Sequence, residues 1–337
     1  MKIEKRVFQL EKRMFQMGKR AVAFLLCAAM LLLFAGCNSA NLGSMKFALN
    51  EDEQGYTLTR YKNSASQTVL TIPDTFEGKP VTAIGGMAIQ NCDDLLKIEI
   101  GANLTEIDKW GVFGCRYLKE FAVREDNPAF CAVDGVLFSK DGTCLVSYPN
   151  ANTAEYDKGG ALKEEVSYAV PEGVTEIAHA AFYKCYALKE VTLPGSLRLI
   201  GIRAFHGCQN LKQLALPEGL ETIRNDAFLK CLGLTEITIP ATVRKIGNYA
   251  FYSGDNLESV TILAPKAQLT QGHRWLPEPG RKPVEPVWGN EKEVSLCAPR
   301  FLEDCCFYPE ASWFPFTMCA TRFADKSSVI QASVRRR

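Results

Sequence analysis

The strongest constraint in this sequence is a step of 23 residues that recurs at several kinds of position at once. Ile84 and Ile107 are one step apart, and Ile177, Ile200, Ile223 and Ile246 follow one another at the same step. Leu95 and Leu118 belong to a second series with Leu188, Leu211, Leu234 and Leu257. Phe182, Phe205, Phe228 and Phe251, each preceded by Ala, form a third. Cys92 and Cys115 with Cys185, Cys208 and Cys231 form a fourth, and Pro171, Pro194, Pro217 and Pro240 a fifth. Such a period marks a stack of units. One repeat cannot bury its apolar face alone, whereas stacked neighbours share a continuous core.

A single unit shows the expected geometry. Leu188 to Leu193 alternates apolar and polar around Val191 and Leu193, which predicts a short strand with one buried face. Pro194 cannot donate to a sheet ladder, so the strand ends there. Leu197 to Ile200 is a second extended piece. Ala204-Phe205 to Cys208 is too short for a full helix and suits a short turn or 3-10 helix on the outer side. The predicted fold is a β-rich solenoid. Its repeat core is Ile177, Phe182, Cys185, Leu188, Ile200, Phe205, Cys208, Leu211, Ile223, Phe228, Cys231, Leu234, Ile246, Phe251 and Leu257.

The motif Leu188 to Pro194, Ile200-Gly201, Ala204-Phe205 and Cys208, with its copies, resembles the BspA-like leucine-rich repeats of bacterial surface proteins. The resemblance covers about residues 46–265, with an opening segment at 46–70 that includes Gln54 to Tyr61 and runs on to Gly78-Lys79-Pro80-Val81. It implies a right-handed leucine-rich-repeat coil stack. It also implies a role in adhesion or cell-surface interaction, with proteins or glycans as partners.

The period is interrupted between Val123 and Val170. Asp134-Gly135 and Asp141-Gly142 each lie between apolar runs, Phe130 to Val133, Val136 to Ser139 and Cys144 to Tyr148, which is a hairpin signal. A β-meander inserted at 124–170 is expected, either as a ligand-facing feature or as a variant coil that keeps the stack continuous.

The N-terminus reads as an address. Residues 1–20 carry seven Lys or Arg against Glu4 and Glu11, and an apolar run follows from Ala21 to Ala35. This run is shorter than the roughly 20 residues of a membrane span, and a basic start with a short apolar core describes a signal peptide. Phe34-Ala35-Gly36-Cys37 resembles a bacterial lipobox, which implies a signal peptide at 1–36, lipid attachment at Cys37 and an anchor and spacer at 37–45. The whole chain carries +1 and residues 1–36 carry +5, which leaves −4 on the remainder. The membrane anchor is therefore the lipid rather than a basic surface. The same near-neutral charge removes the case for nucleic-acid binding.

After Pro265 the strict period stops. Residues 266–337 hold three of the four Trp and end in Arg335-Arg336-Arg337. They read as an irregular tail, either a linker with a small cysteine-containing module or an out-of-frame continuation of the gene.

Nothing in the sequence points to catalysis, a metal or a cofactor. The three histidines His179, His206 and His273 lack a carboxylate pattern, and Cys305-Cys306 lacks a second cluster at zinc spacing. No phosphate loop, dinucleotide fingerprint or nucleophile elbow occurs. The repeat cysteines read as small buried hydrophobes, with disulfides between neighbouring coils as the alternative. The candidate binding face is the solvent side of the main strand ladder: Lys97, Glu99, Glu120, Ala122, Glu190, Thr192, Gln213, Ala215, Glu236, Thr238, Ser259 and Thr261. This row is short-chained and lacks the aromatic and arginine anchors common at tight interfaces. Two alternatives stay open on the sequence alone, a structural envelope component without external ligand and a non-catalytic module of a larger enzyme.

Overall fold

The computed structural model describes residues 44–63, 67–277 and 286–288. The signal peptide, Cys37 and the tail from 289 onward lie outside the described residues. The regular structure comprises 24 short strands and one 3-10 turn, Lys266–Gln268, with no α-helix among the described residues. The chain winds as a right-handed leucine-rich-repeat coil stack with a repeat of about 23 residues.

Each coil contributes to three stacked columns. The first is an aliphatic ladder. Glu176–Ile177, Leu199–Ile200, Thr222–Ile223 and Lys245–Ile246 pair in parallel, with each Ile against the next. In the earlier part of the chain Leu58 lies against Ile84, and Ile84 against Ile107. Strands of two residues would not persist alone, and each is held here between neighbours. The second column is the main strand ladder, whose inward residues Ile98, Phe121, Val191, Ile237 and Val260 are buried.

The third column is made of turns. Ala180, Arg203, Asp226 and Tyr249 all adopt φ of 54–57°, and Lys184, Gly207, Lys230 and Ser253 adopt 54–75°. Two left-handed residues per turn are incompatible with a continuous 3-10 helix, so the outer pieces are turns. The unusual backbone is held from coil to coil. The amides of Ala180, Phe182 and Lys184 donate to the carbonyls of Ile202, Ala204 and His206 in the next coil. Those of Arg203, Phe205 and Gly207 repeat the pattern one coil on. The intervening amides of Ala181, Tyr183 and Cys185 donate to Ala178, Ala180 and Phe182 in the same coil.

Inside the turns the phenylalanines form a spine. Phe182, Phe205, Phe228 and Phe251 stack with ring centres 4.8, 5.2 and 5.0 Å apart and planes within 9° of parallel. Tyr148 covers one end, 5.0 Å from Phe182, and Trp275 meets the other edge-on at 6.3 Å from Phe251. In the earlier coils the spine position is aliphatic, with Ile89 paired to Val112.

Phe130–Val133, Val136–Ser139 and Cys144–Ser147 form an antiparallel meander. Its first turn has φ of 49° at Asp134 and 79° at Gly135, both left-handed, as a two-residue hairpin of this kind requires. The meander divides the core. Phe130 and Leu137 belong to the earlier coils, whereas Val136, Phe138, Leu145 and Tyr148 belong to the later ones. Cys144–Ser147 then pairs in parallel with Glu176–Ile177, so the aliphatic ladder of the later coils starts on the meander itself.

Strand pairing reaches past residues 46–265 at both ends. At the start, Met45 already belongs to the strand Met45–Leu49, antiparallel to Tyr56–Tyr61, and is buried. At the other end the stack continues past 265. Thr270–Gln271 pairs in parallel with Lys245–Ile246, and Val287–Trp288 with Ser259–Ile262. The step from Ile246 to Gln271 is 25 residues rather than 23, because the 3-10 turn Lys266–Gln268 lengthens this coil. Leu276 takes the place of the next phenylalanine and Trp275 that of the alanine before it, since the Phe251 amide donates to the Trp275 carbonyl as the Phe228 amide does to Ala250. The coil is physically a repeat while its sequence has left the register.

Candidate functional site

The residues of the sequence-derived binding face lie on three separate sheets among the described residues. The first sheet pairs Lys97 with Glu120 and Glu99 with Ala122, and sets Thr71 beside Glu99. The second pairs Glu190 with Gln213 and sets Thr192 against Ala169. The third pairs Glu236 with Ser259 and Thr238 with Thr261. The meander separates the first sheet from the second. No strand pairing joins Gln213–Leu214 to Glu236–Ile239, and Ala215 falls beyond the end of its strand. The expected single row is thus three patches.

In the first patch a single ammonium group is shared by two carboxylates. Lys97 Nζ lies 3.2 Å from Glu99 and 3.4 Å from Glu120. The Thr71 hydroxyl donates to Glu99 at 2.8 Å. That hydrogen bond and Lys97 hold the Glu99 carboxyl below its usual range, and the two carboxylates raise Lys97. On the second sheet Ser167 sits 3.5 Å from Glu190. The outer face of the third sheet carries Glu236, Thr238, Ser259 and Thr261, followed by Val287 beside Thr261, with Glu236, Thr238, Ser259 and Val287 exposed.

The turn face holds the aromatic and arginine side chains that this row lacks. Trp110 and Phe113 of an earlier coil meet later ones directly. Phe113 lies edge-on to Tyr183 at 5.2 Å, and Trp110 is 6.5 Å from His179. The Arg203 guanidinium sits 5.3 Å from the Trp110 ring centre and 3.1 Å from an Asp226 carboxylate oxygen. Burial raises the Asp226 carboxyl even though Arg203 opposes the shift. The signal for this cluster was present in the sequence. Trp110 lies three residues after Ile107, as Ala180 does after Ile177 and Arg203 after Ile200. A search confined to strand faces does not reach these positions.

The histidines are structural parts of this turn layer. His179 Nδ1 accepts the Ile202 amide at 2.8 Å, which requires the neutral ring with its proton on Nε2. Two coils further, Asn225 accepts the Asn248 amide with its side-chain oxygen at 3.0 Å, and Asn248 accepts that of His273 at 2.7 Å. His179 therefore does an asparagine's job. Burial, with Arg224 and Lys109 nearby, lowers it to about 4. His206 stacks on Tyr183 at 5.0 Å, and burial with Arg203, Lys230 and Lys184 lowers it to about 3.

The cysteines Cys92, Cys115, Cys185, Cys208 and Cys231 are buried and free. Cys208 and Cys231 each donate to the carbonyl of a phenylalanine one coil back, Phe182 and Phe205, at 3.0 Å. Asn150 fills the same role at the meander, accepting from Cys185 at 3.5 Å. Burial holds the Cys185 and Cys231 thiols well above their usual range. No group of three or more His, Cys, Asp or Glu is placed to hold a metal among the described residues. No helix of the described residues is long and apolar enough to cross a membrane.

Several solved structures are similar to this chain. The pneumococcal vaccine antigen PcpA shares 20% identity, covering 72% of this chain and 88% of its own, with a TM-score of 0.40. A leucine-rich-repeat protein from Eubacterium ventriosum shares 16%, covering 69% and 83%, with a TM-score of 0.41. A leucine-rich cell-surface protein from Faecalibacterium prausnitzii shares 20%, covering 67% and 95%, with a TM-score of 0.38. No curated protein matches the chain. The model for the BspA type leucine-rich repeat region matches six copies, over residues 59–130 and 166–271. These segments are more than half of the sequence and coincide with the stacked coils, and the chain belongs to the BspA-type leucine-rich-repeat family.

Proposed function

We propose that this protein is a non-catalytic binding module, tethered to a bacterial envelope by lipid on Cys37, that contacts proteins or glycans at a cell surface. Leucine-rich-repeat proteins generally mediate protein–protein or surface interactions. The observation that carries the reading is the repeated display of polar side chains on the main-strand sheets. Glu236 and Thr238 recur as Ser259 and Thr261 in register, and Glu190 is followed by Gln213. Stacked solenoids use such extended surfaces for partners. Among the described residues, His179 and His206 and the repeat cysteines serve the stack, as an acceptor, a ring-stacking partner and buried thiols.

Two measurements test this reading. Intact cells treated with a non-penetrating protease, with a cytoplasmic protein as lysis control, should lose peptides from residues 46–265. Protection until lysis would overturn the surface assignment. Cys37→Ala should move the processed protein into soluble fractions, and membrane retention of that processed variant would overturn the lipid tether.

A further inference from the structure

Residues 131–165 lie between the two segments that match the family repeats. They contain the meander and then a hairpin that leaves the coil. Tyr156 bridges Leu162 in antiparallel fashion, and Glu155 pairs with Lys163 at 3.0 Å. Asp157 Oδ1 accepts the amides of Gly159 and Ala161 at 2.9 and 2.8 Å, which fixes the tip.

The hairpin is clamped onto the coil that carries Tyr117. The Tyr117 and Tyr156 rings meet edge-on with centres 5.0 Å apart. The Arg116 guanidinium lies 5.3 and 5.6 Å from the two ring centres and donates to the Gly160 carbonyl at 2.9 Å. Gly160 has φ of 77°, and a Cβ there would stand 2.6 Å from the Tyr117 hydroxyl. Only glycine allows this approach. Between hairpin and coil lies a cleft of about 540 Å³. That volume is within the ~300–1,000 Å³ range of small-molecule sites. Leu96 and Lys119 on its wall immediately precede Lys97 and Glu120, so the cleft opens beside the first polar patch.

We propose that this cleft binds a short, uncharged saccharide. The inference rests on the binding-module reading and adds a ligand class to it. The Tyr117 and Tyr156 rings, packed edge-to-face and both half-buried, line the wall, and the part of either ring left open can pack on the C–H face of a pyranose. Lys119 and Lys158 supply donors, and the oxygens of Glu155 and Asp157 not taken by Lys163 and the tip amides supply acceptors, on the same wall. A polyhydroxyl uses both. An anion would meet the two carboxylates, and a cation the two ammonium groups. An acyl chain or an apolar peptide anchor would desolvate four charged side chains, with Leu96 the one large aliphatic residue in the lining. Because the hairpin, Arg116 and Gly160 hold the rings in place beforehand, little ordering remains to oppose a weak ligand.

The test uses the purified full chain, so it does not depend on where the protein sits in a cell. A failed protease-accessibility experiment and a failed sugar-binding experiment are thus separate results. The probes are cellotriose and the N-acetylglucosamine trimer, followed by saturation-transfer NMR and calorimetry. At least one should show saturation transfer. Lys119→Ala and Lys158→Ala, both at exposed positions, should each weaken binding, and Tyr117→Ala should weaken it about tenfold or more. Glu218→Gln, at an exposed position of a later coil outside both the cleft and the polar strand face, should leave binding unchanged. Absence of transfer from both probes would overturn the proposal. So would binding that survives all three cleft variants, or displacement of the sugar by inorganic phosphate.

Discussion

At the scale of single residues, the turns carry a backbone cost that the stack compensates. A left-handed residue other than glycine costs about 1–2 kcal/mol. This protein holds Ala180, Lys184, Arg203, Asp226, Lys230, Tyr249 and Ser253 there. Gly207 occupies the equivalent site of Lys184 and Lys230 without that cost. Lys230→Gly should therefore stabilise the protein by about 0.5–1 kcal/mol after the unfolded-state entropy of glycine is subtracted. Gly207→Ala should destabilise it by about 1 kcal/mol. Urea melts of both variants decide the matter, and equal midpoints would remove the argument. The buried histidines make a second prediction. His206 and His179 are neutral when folded, at about 3 and about 4, against an ordinary value of 6.5. The unfolded chain then binds more protons below pH 6.5, so their contribution falls as pH drops from 6.5 toward 4. The raised Asp226 carboxyl works in the opposite direction. Leu229 occupies the position of His206 one coil on and is buried. His206→Leu should accordingly flatten the loss of stability between pH 7 and pH 5, measured as denaturation midpoints. An unchanged slope would show that the ring is protonated without penalty.

At the scale of elements, the phenylalanine spine is the main difference between the later and the earlier coils. Four parallel rings with covers at both ends replace the pair Ile89 and Val112. Phe205 is fully buried between two other rings. Phe205→Ala should cost about 3–5 kcal/mol. A chemical melt showing a loss under about 1 kcal/mol would refute the stacked arrangement. This spine was legible in the sequence because four identical residues recur at one step, and so was the aliphatic ladder from Ile177 to Ile246. The last coil was not legible. Leu276 stands where Phe would, Gln271 replaces Ile, and Lys266–Gln268 changes the step, so two substitutions and an altered step remove the pattern while the hydrogen-bonded pairing persists. The candidate face was legible residue by residue but not as a surface. Which strands pair depends on the meander and on the two-residue strand Gln213–Leu214, and a period cannot report either. The turn cluster around Arg203 and the hairpin cleft depend on contacts between positions far apart in the chain, such as Arg116 with Gly160 and Trp110 with Arg203.

At the scale of the whole molecule, the meander is the joint on which both sets of coils depend. Val136, Leu137 and Phe138 are consecutive and fully or almost fully buried, at 0%, 0% and 2% exposure. A strand alternates its faces, so Leu137 enters the core of the earlier coils while its two neighbours enter that of the later ones. In a stack whose stability is a sum of neighbour interfaces, a lesion should propagate into the core it touches and fade in the other. Leu137→Ala should then lower amide protection mainly between residues 45 and 130, with a cost of about 2–5 kcal/mol. Phe138→Ala should lower it mainly between 166 and 276, at about 3–5 kcal/mol. Hydrogen exchange followed by mass spectrometry resolves these regions. Two coil sets that open independently would give two distinct exchange patterns, and additive losses in the double variant. Identical loss of protection across all coils from either substitution would show that the meander couples the two cores into one cooperative unit. The saccharide cleft would then share the stability of the entire stack, since its hairpin hangs from the meander while its Tyr117 and Lys119 belong to the earlier coils.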